Sequence, residues 1–308
     1  MTKRLFSSVP SLPSLLCLAL SLVVTNARAA QIDTAELFRS VTELRAEIEQ
    51  IRVVMGEPLP PSREYRVDGA VPRHVYYQAQ TLFRKSNLFA QQIAGVSRQP
   101  SRPAPEGSIA SEDVLLVLND TREQLGHVRT ALDIAEAVAE AKADRRKQPS
   151  DILYELIEAG RDINFISGRT VAWTTVYDRL LLAISYVGGA LPEAGRFPAL
   201  PAFEPGKFPQ DVVGRLQRCM ELSRKLAGEY DVSMVRLEVI RRSAIGPTVI
   251  EVLDVATILL SDLAELTYLM EAEELPLPEY PRPSRIFPSH VNQLAGVLEA
   301  QLEALTGT

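Results

Sequence analysis

Reactive side chains are scarce in this 308-residue chain, which has two cysteines, three histidines and one tryptophan. Cys17 lies inside an N-terminal apolar run, which leaves Cys219 without a partner for an intramolecular disulfide. The fold therefore has to be held by packing. No CxxCH, HExxH, P-loop, GxSxG or glycine-rich dinucleotide pattern occurs, so no catalytic, cofactor-binding or metal-binding residues are expected. Long apolar runs are also missing after the N-terminus. Residues 249–270 come closest, but Glu251, Asp254, Asp262 and Glu265 interrupt them, so no membrane span is expected in the mature chain.

The N-terminus has the composition of a cleaved signal peptide over residues 1–29. Lys3 and Arg4 precede an apolar stretch from Leu15 to Val24, and Ala27-Arg28-Ala29 supplies small residues for cleavage. Lipid anchoring at Cys17 is disfavoured, because Leu16 is not small and the apolar run continues past the cysteine. Cleavage removes three basic residues and no acids, so 33 basic against 39 acidic groups becomes 30 against 39, or −9. An acidic chain is a poor partner for nucleic acid or anionic lipid. The basic run Arg145-Arg146-Lys147 reads as the solvated C-terminus of a helix. The expected location is the periplasm or the outside of the cell.

What is abundant is helical patterning. Asp33 and Glu36 start a helix that Gly56 and Pro58 stop. Within it Leu37, Val41, Leu44, Ile48, Ile51 and Met55 are spaced as a heptad seam. Residues 30–57 are thus expected to form a coiled-coil helix. Its seam is a candidate for self-association or for packing on the body of the same chain.

Downstream, a helix-start signal recurs at Pro72, Ser111, Pro149, Pro209, Gly246 and Pro288. Three residues later stand Val75, Val114, Ile152, Val212, Val249 and Val291, all β-branched, and offsets 3, 7, 10, 14 and 17 form a mostly apolar stripe. The third helical position holds His74, Asp113, Asp151, Asp211 and His290, a slot for groups that hydrogen-bond at a helix start rather than a metal site. Further helices are expected near 169–187 and 230–244.

The fold class is therefore all-α: a coiled-coil entry helix followed by antiparallel helical bundles related by internal duplication, with a helical-repeat solenoid as the second choice. The expected division is 58–187 for the first bundle, 188–208 for a Pro/Gly-rich linker and 209–308 for the second bundle. Asp254 and Asp262 are expected on the wet edge of a core helix, paired with arginines of a neighbour. Cys219 falls on a core offset.

The function expected from these features is that of an exported, non-enzymatic scaffold or adaptor acting through protein–protein contacts in the cell envelope. The alternative is a periplasmic receptor or sensor that holds a small molecule between helices, with Tyr76, Trp173 and Tyr177 lining the pocket.

Overall fold

Six helices begin with the same local device. At the third helical position a side chain folds back and accepts the backbone N–H of the residue before the helix. His74 accepts from Val71 (3.1 Å), Asp113 from Ala110 (2.8 Å), Asp151 from Gln148 (2.8 Å), Asp211 from Phe208 (2.7 Å), Glu251 from Thr248 (2.6 Å) and His290 from Phe287 (3.0 Å). Each bond satisfies a donor that the helix itself leaves orphaned. The two histidines do this with Nδ1, so at this slot they serve as helix caps.

The computed structural model describes residues 33–60, 65–105, 107–168, 171–230, 232–239 and 246–307. The expected signal segment, 1–29 with Cys17, lies outside them. Among the described residues there are eight α-helices: α1 (Thr34–Val54), α2 (Pro72–Ala94), α3 (Ser111–Ala131), α4 (Pro149–Ile166), α5 (Trp173–Gly189), α6 (Pro209–Tyr230), α7 (Val249–Leu269) and α8 (Pro288–Thr306). None is long and apolar enough to cross a membrane. A two-stranded antiparallel ribbon joins β1 (Tyr65–Asp68) to β2 (Arg236–Val239), with Val67 opposite Leu237.

Two expected elements are corrected. The region near 230–244, expected as a helix from its apolar content, carries strand β2 instead. Val235, Leu237 and Val239 alternate with polar residues at period two, which is a strand signal. The helix expected from Gly246 starts at Val249, capped by Glu251. Shifting that origin places Val252, Ala256, Leu259, Leu263 and Leu266 at the stripe offsets, and all five are buried. Pro72 to Pro209, Ser111 to Val249 and Pro149 to Pro288 are then 137, 138 and 139 residues apart. The basic run 145–147 is also reassigned, because it precedes α4 rather than ending a helix.

The helices pack as two quartets with one neighbour pattern. In the first, α1 and α2 each pack on α3 and α4. In the second, α5 and α6 each pack on α7 and α8. The entry helix is thus a full member of the first quartet rather than an arm. Its seam residues Leu37, Val41, Leu44, Ile48 and Ile51 are buried and Met55 is half-buried, so the candidate self-association seam is covered by the chain's own α3 and α4. Helix α5, expected to close the first bundle, packs instead on α7 and α8.

Antiparallel neighbours were expected, and the pairing of side chains reverses this within the quartets. Between α2 and α4, Ala70 N–H meets Ser150 just before α2, Lys85 meets Gly160, and Gln92 meets Ser167, so both chains advance together. The same holds for Arg215 with Asn292 and Arg218 with Glu303 between α6 and α8.

The connections make this possible. Between Ala94 and Ser111, Ala131 and Pro149, Gly189 and Pro209, and Leu269 and Pro288 lie 16, 17, 19 and 18 residues. Sixteen extended residues reach about 50 Å, whereas a helix of 23 residues is about 35 Å long, so each connection can return the whole length of a helix.

These straps are docked by side chains. Asn87 exchanges two hydrogen bonds with Gln99, and Tyr76 and Gln80 donate to the carbonyls of Pro103 and Arg102. Gln301, Gln293 and Ser289 hold Arg196, Pro201 and Lys207 in succession along α8. The stretch 188–208, expected as a Pro/Gly-rich linker, is bound along its length. On α5 the other strap, 270–287, passes so close that a Cβ at Gly189 would collide with the carbonyl oxygen of Glu273.

Candidate functional site

Helix α2 is where the quartets meet, since it also packs on α7. Wrapped by α3, α4 and α7, it buries nearly every residue from Arg73 to Ala90, polar ones included. Charges enclosed this way must be matched by partners from neighbouring helices.

At its N-terminal end His74 is fully enclosed, and its Nε2 lies 2.6 Å from Asp262 Oδ1 on α7. Because Nδ1 accepts the Val71 N–H, the ring proton sits on Nε2 and is donated to the carboxylate. Burial holds the imidazole below its usual pKa despite this partner. Arg73 lies 3.7 Å from the same carboxylate and 3.6 Å from Glu265.

Three turns along, Lys85 donates to the carbonyl of Gly160 (3.2 Å) and faces Asp254 electrostatically. Burial pushes its ammonium down to about 8 and raises the Asp254 carboxyl. Arg161 of α4 reaches Asp254 (3.4 Å) and Glu158 (2.9 Å), and its guanidinium stacks 4.4 Å from the Tyr65 ring. Asp254 and Asp262 do pair with cations of neighbouring helices, as expected. They are deeply buried rather than on a wet edge, because α2 packs over this face of α7.

Between these two clusters on α2, Arg84 and Arg179 of α5 both donate to the hydroxyl of Thr81, at 3.3 and 3.2 Å. Tyr76 and Tyr77 lie beside them on α2, and Tyr77 shares a hydrogen bond with Tyr186 of α5.

The three residues of the expected pocket each have their own surroundings. Tyr76 bonds to the strap through Pro103, while Tyr177 lies under Arg282 (5.6 Å) of another strap. Trp173 is the half-buried first residue of α5. Cys219 fills the core between α6 and α8, and burial raises its thiol pKa. His127 is half-buried on α3. Among the described residues no three His, Cys, Asp or Glu side chains are grouped to hold a metal ion.

A second feature lies on the surface, where the 190–208 strap meets the starts of α6 and α8. Phe203, Phe208 and Phe287 are 48%, 61% and 53% exposed. His290 stacks on Phe203 (ring centroids 4.9 Å apart) and lies 5.8 Å from Phe287. The bond from Lys207 N–H to Ser289 draws Phe208 to the same corner. Sequence reasoning passed over this patch, although a signal existed: Phe precedes the proline only at these two helix starts. A scan of protein families finds no model that matches this chain, and searches of curated proteins and solved structures find no match either.

Proposed function

We propose that this chain is an exported, non-enzymatic helical scaffold or adaptor that docks a protein partner in the cell envelope. The observation that carries the reading is the corner of three exposed phenylalanines around His290. A cluster of large aromatic side chains left in water is a recognised mark of an interaction surface. Its rim is mixed in charge, with Glu204, Lys207, Asp211 and Arg285. An aromatic centre inside a rim of both signs suits a protein surface, and the acidic balance of the chain disfavours an anionic lipid. The non-enzymatic part of the reading is supported by His74 and Asp262, which are enclosed and occupied with each other.

The test is a pull-down from envelope fractions with the full mature chain and with Phe208→Ser/Phe287→Ser. Loss of specific proteins from the variant, at unchanged melting temperature, supports the reading. An identical set of captured proteins sinks it.

A further inference from the structure

The cations buried along α2 fall into two kinds. Arg73 faces Asp262 and Glu265, Lys85 faces Asp254, and Arg161 faces Glu158 and Asp254. Arg84 and Arg179 differ from these, because neither forms an ion pair among the described residues. Their common partner is Thr81, a neutral hydroxyl that donates its own proton to the Tyr77 carbonyl at 3.0 Å. Its two lone pairs are filled by the two guanidiniums, so it can take no further donor. Two guanidiniums offer ten N–H donors, of which Thr81 accepts two.

Arg179 is only 8% exposed, while Arg84 is half-buried and keeps part of its surface in solvent. Burying two like charges together is costly unless something negative joins them. In keeping with this, burial and the neighbouring Arg84 push the Arg179 guanidinium down to about 9.

We propose that Arg84 and Arg179, held together by Thr81, bind the oxyanion of a small molecule, a phosphate or carboxylate group. Guanidinium forks match both groups in geometry and charge. The phenols of Tyr76, beside Arg84, and of Tyr77 and Tyr186, beside Arg179, border the pair. This site lies apart from the phenylalanine corner and stands whether or not a protein docks there.

Thermal unfolding of the full mature chain tests it, in chloride buffer at pH 7 and fixed ionic strength, with millimolar inorganic phosphate or succinate as probe. The expected result is a saturable rise in melting temperature with at least one probe, and the stronger probe distinguishes a phosphoryl from a carboxylate ligand. Arg84→Gln should weaken the response by about tenfold or more. Arg179→Met should abolish the response and raise the melting temperature in chloride, since an uncompensated charge leaves the interior; a merely structural role would lower it. A wild-type chain indifferent to both probes overturns the proposal. So does an unchanged response in Arg84→Gln, which alters a half-buried position and carries the test if Arg179→Met does not fold.

Discussion

Helices α2 and α6 hold the same place in their quartets, start on the same proline and use the same apolar stripe, yet they live in different surroundings. Helix α6 buries its stripe and leaves residues such as Arg218 and Glu221 in water. Helix α2 is enclosed on nearly all sides, because α7 of the other quartet covers the face that α6 leaves wet. A helix with one wet face can put its charges there at little cost. A helix with none must find a partner for each, and α2 does so from α4 and α7 everywhere except at Arg84. Position in the assembly, more than helical character, decides which charges are structural.

Removing residues 33–56 should have the largest effect. An independent arm could be lost without harm, but α1 supplies one wall of the first quartet. The truncated chain should lose the cooperative unfolding of that quartet, seen as reduced helical circular dichroism and early proteolysis before residue 170. Unchanged helicity per residue would show that α1 is dispensable packing.

Next in size is the contrast between a buried and a surface acid. Asp254→Ala leaves Arg161 and Lys85 enclosed without their shared carboxylate and should cost about 3–5 kcal/mol in chemical denaturation. Glu299→Ala on α8 removes the partner of Arg215 near water and should cost about 1 kcal/mol or less. Similar costs would mean that the enclosure of α2 is not what makes its charges matter.

The smallest test compares the two capping histidines. His290→Ala loses one helix-start bond, worth about 1 kcal/mol. His74→Ala loses the same bond and the Asp262 contact as well, so it should cost more.

His74 also gives a pH signature. Its folded pKa lies below the ordinary 6.5, so the unfolded chain takes up the proton first. Its contribution is therefore intact above about pH 6.5 and is lost as the pH falls below it, by at most about 1.4 kcal/mol per pH unit. The slope of stability between pH 6.5 and 5 should flatten in His74→Ala and persist in His290→Ala; equal slopes in both variants would remove His74 as its source.

The features legible in the sequence were those written within one or two helical turns. The N-terminal slot, the apolar stripe and the buried role of Cys219 all follow from local chemistry. Helix direction was not legible from the stripe, because the same seam packs against a parallel or an antiparallel neighbour. The information lay in the intervals: a spacing near 38 residues minus a helix near 21 leaves enough chain to run back. The enclosure of α2 was harder still. His74 finds Asp262 at a separation of 188 residues, and nothing near either one announces the other. The Arg84 and Arg179 pair, 98 residues from Thr81 on one side, was hidden for the same reason.

The docked straps have a consequence for how the chain reaches this state. Most small helical proteins assemble from hairpins whose contacts close quickly. Here no helix can meet its partner until a full-length return has been laid down, and the first quartet depends on contacts 75 to 110 residues apart. Loop-closure entropy must therefore be spent before packing repays it. In kinetic terms the molecule has the secondary structure of a bundle but must close long-range contacts as a β-sheet protein does.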